Sequence, residues 1–279
     1  MLSKKEVNSF NLIKQGTPFK ILNPLTDDHE FLRTCLSESI LKCAQFNIDH
    51  QNKNFGIFEI SDINTHEFKT SRLAICLLNK TSSRYEMNKE DYDYYSISGL
   101  FEGILTILGI DKKRVFVKQN TLFLEHLHGG KSALIYLGNE LIGFMGELHP
   151  LKKEEFELEH QNVILLELDL DKLYGIVVGN LKINLPSKFP FVKRDYAFNV
   201  PNDVNANDVL KLIRTTSNNA IIKSIEIFDY YQNFDLNKNS LGISITYGDD
   251  ERTLKDEEIV SLEQKIFSNL NCKNIFLKN

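Results

Sequence analysis

KFPFVKRDYAFNV (residues 188–200), IKSIEIFDYY (222–231) and SLGISITYGDDERTLKDEEI (240–259) decide the fold of the C-terminal third of this 279-residue chain. In the first stretch Tyr196, Phe198 and Val200 alternate with Ala197 and Asn199, the period-two signature of a strand with one apolar face. Leu241, Ile243, Ile245 and Tyr247 repeat the pattern against Gly242, Ser244 and Thr246, and Ile225 and Ile227 do so between Glu226 and Phe228. Between the first two strands, Asn205 opens a helix with Asp208 three positions on, and Val209, Leu210 and Ile213 form its buried stripe. A second helix starts at Asp256-Glu257-Glu258, carboxylates suited to a positive helix N-terminus. It continues through Ile259, Leu262, Ile266 and Leu270, spaced three, four and four.

Strand, helix, strand, strand, helix, with room for one short last strand, is the order of a ferredoxin-like βαββαβ module. Two helices cover the apolar sheet face and leave the other open. Open faces of this kind stack and hydrogen-bond RNA bases. The alternation puts Asn199, Glu226, Phe228, Ser244 and Thr246 on that face, with Lys193 and Arg194 at its entry. Phe228 is the stacking candidate, against the alternative of a residue covered by the last strand. Arg194 reads equally as a phosphate contact or as one half of an ion pair with Asp195 or Asp229.

Working outward, the length suggests two domains, residues 1–180 and 188–279, with the boundary in the Leu181–Ser187 stretch. A 42% hydrophobic and 25% charged composition is that of a globular protein. No apolar run approaches the ~20 residues that span a bilayer, and the MLSKKEVNSF start carries no signal-like segment, so a cytoplasmic protein without membrane contact is expected. Cys35, Cys43, Cys76 and Cys272 have no metal-ligand spacing and read as buried reduced thiols. His126-Leu127-His128 would set two imidazoles on one side of a strand, but no third ligand lies near in sequence, so no metal is assigned. Tyr92, Tyr94 and Tyr95, before an apolar helix, read as packing contacts.

Charge limits any nucleic-acid reading. The net formal charge is −5, and residues 188–279 hold 12 Lys and Arg against 13 Asp and Glu. A module that gripped RNA mainly through phosphates would be basic. This one is expected to supply one contact among several, and DNA is not expected as a partner.

Several motifs in order carry a family resemblance. Lys188-Phe189-Pro190 with Lys193-Arg194-Asp195, Ile227-Phe228-Asp229-Tyr230-Tyr231, Lys238-x-Ser240-Leu241 and Glu251-Arg252-Thr253-Leu254-x-Asp256-Glu257-Glu258 resemble the ferredoxin-fold anticodon-binding domain that closes the β subunit of bacterial phenylalanyl-tRNA synthetase. Two positions depart from that pattern: Gln232-Asn233 stand where a Gly is usual, and Lys255 where a Thr cap is preferred. Upstream, Leu22-Asn23-Pro24-Leu25 leading into Phe31–Leu36, then Phe58-Glu59-Ile60, His128–Ala133 and Ile142–Pro150, resemble the catalytic-like domain of the same subunit. Tyr94–Gly99 does so too, without the usual Asp and Lys.

The resemblance implies an α+β chain: a class II synthetase-like antiparallel sheet with flanking helices, then the ferredoxin-like domain. It implies tRNA(Phe) as the RNA, a catalytic α subunit as partner, and ATP and magnesium used by that α subunit, with no cofactor in this chain. It also implies a longer subunit, whose N-terminal tRNA-binding and editing parts are not in these 279 residues. Leu32, Leu36 and Ile40 recur every four residues and read as one helix, with Asp27 and Asp28 near its N-terminus; the resemblance makes that helix part of the subunit interface. Arg84-Tyr85-Glu86 is the chain's one Arg-x-Glu and sits in a polar loop-like stretch, so the first domain is expected to be noncatalytic. The alternative is a stand-alone regulatory or protein-binding module derived from a synthetase fragment.

Overall fold

The structure, a computed structural model, describes residues 2–7, 16–81, 90–111, 114–120, 122, 126–175, 187–216, 221–233 and 238–278. The chain forms two compact units, residues 1–182 and 183–279. That division falls within the Leu181–Ser187 stretch, of which residues 181–186 lie outside the described residues.

The first unit runs α1 (Lys4–Val7), α2 (Ser37–Asp49), β1 (Phe55–Asn64), β2 (Lys69–Leu78), α3 (Tyr94–Ile107), β3 (Val115–Gln119), β4 (Leu127–Leu137), β5 (Glu140–Leu148), α4 (Pro150–Glu155), β6 (Val163–Asp169) and α5 (Leu170–Tyr174). Its six strands lie in the order β1-β2-β6-β5-β4-β3, each neighbouring pair antiparallel. This is the α+β arrangement expected. β2 and β6 read as near-continuous apolar runs because both of their faces are covered. Ala74, Cys76, Leu78, Val163 and Leu165 pack with Leu36, Ile40, Leu41 and Ala44 beneath α2. Leu73, Leu77, Ile164, Leu166 and Leu168 pack with Ile97, Phe101 and Leu105 beneath α3. Each buried Leu or Ile contributes roughly 1.5–3 kcal/mol relative to exposure.

One polar residue interrupts β6, and it sets where α2 begins. Glu167 is 1% exposed; its Oε2 accepts from Leu36 N at 3.2 Å, Ser37 N at 2.9 Å and Ser37 Oγ at 2.5 Å. Its Oε1 pairs with Arg72 at 2.9 Å. The helix therefore starts at Ser37, with its orphan N–H groups satisfied from a strand about 130 residues away. Leu32 lies upstream of the helix, its N–H donating to Phe19 O, and Asp27 and Asp28 head a separate 3₁₀ turn, Asp27–His29. Leu36 and Ile40 are 0% and 3% exposed inside the unit's own core. The interface expectation is thus corrected for Leu36 and Ile40, which are core contacts; Leu32 is half-buried and stands outside the helix.

The cysteines divide as well. Cys35 and Cys76 are buried, whereas Cys43 and Cys272 are exposed. No helix among the described residues is long and apolar enough to cross a membrane.

Next to the start of α2, Glu38 is 1% exposed and its Oε2 has no hydrogen-bond partner among the described residues; Lys42 Nζ stands 3.5 Å from Oε1 and also pairs with Glu6. Burial pushes the Glu38 carboxyl up to about 7, against the pull of Lys42. Because the folded value lies above the unfolded one, the fold favours the proton. Stability is lost as pH climbs from about 4.5 to about 7 and stays lower above that. Glu38→Gln is expected to stabilise the first unit by on the order of 2 kcal/mol at pH 8, with the difference vanishing near pH 4.5. Melting temperatures of both proteins across pH 4–8 measure this; a gap that does not change with pH would show that Glu38 ionises normally.

The second unit comprises β7 (Val192–Pro201), α6 (Ala206–Thr216), β8 (Ile222–Asn233), β9 (Lys238–Tyr247), α7 (Asp256–Asn271) and β10 (Phe276–Leu277). The strands lie in the order β10-β7-β9-β8, all pairs antiparallel, which is the βαββαβ order expected. Phe198, Val200, Leu241, Ile243, Ile245 and Tyr247 form one core with Val209 and Ile213 of α6 and Ile259, Ile266 and Leu270 of α7. Lys255, where the preferred cap is absent, is served from inside the helix: Glu258 accepts its N–H at 3.0 Å and holds Arg252 through two nitrogens at 2.7 and 2.8 Å. The Arg252 guanidinium keeps the Glu258 carboxyl down at about 2.

Candidate nucleic-acid interface

Cross-strand partners in a sheet share a face. The register therefore defines five rows on the side of the second unit's sheet opposite its core. They are Pro201–Lys238–Asn233, Lys193–Thr246–Ser224, Asp195–Ser244–Glu226, Ala197–Gly242–Asp229 and Asn199–Ser240–Tyr231. Phe276 of β10 flanks Asn199 and extends the last row.

Phe228 reaches this face by a route that alternation does not describe. Ile227 pairs with Ile243 and Asp229 with Gly242, so Phe228 is one extra residue, a bulge in the edge strand β8. It is 59% exposed, and its ring lies against Gly242. The last strand pairs with β7, at the far edge of the sheet, and does not cover it. Tyr231, 61% exposed, shares the face. After the bulge Tyr230 pairs with Leu241 and so falls on the core side of the free edge.

Two expected contacts are corrected. Arg194 lies on the helix-covered side, where its guanidinium pairs with Asp256 and Glu263 of α7, each at 3.2 Å, and with neither Asp195 nor Asp229. Glu263 also takes a hydrogen bond from Tyr196 Oη, which stands 3.3 Å from Tyr247 Oη. Burial pushes both phenols up, Tyr247 to about 12, so they stay protonated and tie α7 to β7 and β9. Arg194 thus belongs to the lock behind the sheet. Ser244 does face the open side, but it is 3% exposed and its Oγ has no hydrogen-bond partner among the described residues. Flanked by Asp195 and Glu226, it is floor, not contact surface. Lys193 and Glu226 are exposed, and Asn199 and Thr246 are half-buried, all on the expected side.

The sequence reading missed Asp195, Asp229 and Tyr231, although all three lie in quoted motifs. Asp195 was weighed only as a partner for Arg194, and only the tertiary register shows that it faces away. Among the described residues none of Lys193, Asp195, Glu226 and Asp229 forms an ion pair. The face therefore carries three unpaired carboxylates beside the Lys193 ammonium, a second lysine position at 238, and the exposed rings of Phe228, Tyr231 and Phe276. Such a set offers phosphate little net attraction, accepts hydrogen bonds from base amino groups and offers rings for stacking.

The first unit offers a different picture. A cleft of about 970 Å³ is lined by Thr70, Arg72, Phe144, Glu167, Asp169 and Lys172, among others. Its two cations Arg72 and Lys172 are paired within the chain, with Glu167 and with Glu140 at 2.9 Å, and Asp169 accepts from the Thr70 hydroxyl at 2.8 Å. Arg33 is likewise committed to Glu59 at 2.7 Å. Arg84 lies outside the described residues. Tyr92 and Tyr94 pack against the core under α3, while Tyr95 is 77% exposed. His126 is buried, with its imidazole pKa lowered by burial to about 4, and His128 Nδ1 accepts from Gly130 N at 3.1 Å. Among the described residues no group of three or more His, Cys, Asp or Glu gathers around a possible metal position.

Comparison with known proteins covers both units. A family model for the phenylalanyl tRNA synthetase beta chain CLM domain matches residues 1–170. A second, for the ferredoxin-fold anticodon binding domain, matches residues 187–275. Over 265 residues the chain is 33% identical to a phenylalanine–tRNA ligase beta subunit of Syntrophotalea carbinolica, covering 92% of this chain and 32% of that protein. It is also 33% identical over 261 residues to that of Carboxydothermus hydrogenoformans, covering 91% and 32%. The chain thus spans about a third of the length of the curated relatives it matches. Among solved structures, a pyrrolysyl tRNA synthetase of Desulfitobacterium hafniense aligns with a TM-score of 0.46 at 14% identity, over 63% of this chain and 59% of that one. A likeness that weak says nothing about what this chain does.

Proposed function

Because the chain belongs to the phenylalanyl-tRNA synthetase β-chain family, carrying its CLM domain followed by a ferredoxin-fold anticodon-binding domain, we propose that it is a noncatalytic portion of phenylalanine–tRNA ligase. In this reading the second unit contacts the anticodon region of tRNA(Phe), and the first pairs with the catalytic α subunit in the cytoplasm. ATP-dependent charging of tRNA belongs to the complex, with ATP and magnesium handled by α. The observation that carries the reading is the open face of the second unit, where exposed rings stand beside unpaired carboxylates. Anticodon-loop bases present the π-faces and amino donors that such a surface accepts. With two lysine positions against three carboxylates the face offers phosphate little net attraction, so most phosphate contacts come from elsewhere in the assembly.

Two features support the noncatalytic role. In-line displacement at a nucleotide phosphate needs cationic groups free to meet the developing charge. Arg33, which reaches Glu59 of β1, and Arg72 of β2 are already paired. With Leu36 and Ile40 enclosed, the surface for α passes to the edge strand β1. There Phe58 and Ile60, 72% and 58% exposed, face the side opposite α2.

Co-expression with the cognate α subunit tests this. The two chains are expected to co-elute, and Phe58→Asp combined with Ile60→Asp to abolish the complex while leaving this chain folded. If α binds only a full-length β subunit and never this chain, the pairing is wrong. With ATP and phenylalanine but no α, pyrophosphate exchange is expected to stay at background. Exchange from a verified α-free sample would overturn the noncatalytic reading and direct attention to Arg84.

A further inference from the structure

Gly242 sits in the middle of the central strand β9, where glycine weakens a strand by roughly 0.5–1 kcal/mol. Its backbone does not require it, because Gly242 is absent from the residues with positive φ. What it provides is space. A Cβ there would stand 2.9 Å from Cε2 and Cζ of Phe228 and 2.9 Å from Cβ of Asp229. Those ring atoms are the ones farthest from the Phe228 backbone. In an upright side chain they would also be farthest from the sheet. Their contact with Gly242 means that the ring bends back across the neighbouring strand. The bulge delivers Phe228 to this side, and the missing side chain at 242 leaves room over β9 for the ring's outer atoms.

We propose that Gly242 is a positioning residue for nucleic-acid binding: it seats the Phe228 ring flat across β9, so that one π-face is presented outward to a base. This rests on the anticodon-contact reading above and adds to it the device that sets the ring's pose. An exposed ring can swing aside at little cost, so Gly242→Ala should fold and yet lift the platform.

The test uses the full 279-residue chain. The probes are anticodon stem-loop RNAs carrying 2-aminopurine at each loop position in turn, titrated at low salt. The unchanged chain is expected to quench at least one probe by stacking. Phe228→Ala should weaken binding at least ~fivefold, as loss of one stacked base would. Gly242→Ala should give a loss of similar size with a melting temperature no lower than that of the unchanged chain, and the double variant should lose no more than either single one. A merely structural role for Gly242 would instead lower the melting temperature and add to the Phe228 effect. A measurement without RNA checks the seat itself. The Gly242 Hα resonances should lie upfield in the ring current of Phe228 and return to ordinary positions in Phe228→Leu. If they are not displaced, or if Gly242→Ala binds as the unchanged chain does while Phe228→Ala is weakened, the seat is wrong and the anticodon reading stands. All RNA titrations are made on the chain in complex with the cognate α subunit, so that phosphate contacts from elsewhere in the assembly are present. If Phe228→Ala has no effect there, or the complex binds no probe, the anticodon reading itself falls and the seat with it.

Discussion

Phe228→Ala is expected to weaken tRNA binding by roughly 5- to 150-fold in a complex reconstituted with the α subunit, while ATP-dependent activation of phenylalanine stays intact. The magnitude is that of one base–aromatic stack, roughly 1–3 kcal/mol by alanine substitution. The side chain is 59% exposed, so its removal opens no cavity and the loss can be read as lost contact, not lost fold. Lys193 provides the contrast. As an exposed ammonium on the face it can neutralise a phosphate, and Lys193→Ala should reduce the salt dependence of binding by about one unit of slope with a smaller effect at fixed salt. Filter binding across a salt series, beside a pyrophosphate-exchange assay, measures both. If Phe228→Ala leaves tRNA affinity untouched while substitutions in α6 or α7 abolish it, the module meets tRNA through its helices and the open face is idle.

Glu167→Ala is expected to cost the first unit about 3–5 kcal/mol, enough to unfold many domains outright. The substitution strands two kinds of group at once. Arg72 is left as a nearly enclosed cation whose Nε already has no partner among the described residues, and the N–H groups of Leu36 and Ser37 lose the carboxylate that caps them. Replacing the pair together, with Arg72→Met and Glu167→Leu, should recover part of the loss. A buried ion pair is often replaceable by apolar packing, but the helix N–H groups would still be orphaned. Urea unfolding of the single and double variants measures the difference. Equal stability of Glu167→Ala and the unchanged chain would mean that α2 is capped by water.

How much of this was legible in the chain differs between the two units. In the second, the period-two runs at Tyr196–Val200 and Leu241–Tyr247 and the three-four-four spacing from Ile259 stated strand, strand and helix directly, and the element order then left one arrangement. Chain-local spacing was enough because each element buries one continuous face against its neighbours. In the first unit the same kind of spacing misled. Leu32, Leu36 and Ile40 fit a helical period, yet the helix begins only at Ser37. Its cap comes from Glu167, and periodicity carries no trace of a carboxylate so far away in sequence.

The candidate face divides in the same manner. Alternation along one strand predicts which residues share a side, and it placed Lys193, Asn199, Glu226 and Thr246 correctly. It cannot say what lies above a residue, so the enclosed Ser244 looked like a contact. Nor can it see that the neighbouring element carries carboxylates, so Arg194 looked like an entry to the site when Asp256 and Glu263 of α7 hold it on the other side. Phe228 came out on the expected face through a bulge that only strand pairing reveals. The sequence by itself determined the element types, their order and the family, because these follow from side-chain period and motif along the chain. Tertiary structure alone decided which polar groups are free to meet a ligand, because a charge or a ring is available only where no other part of the folded chain has already claimed it.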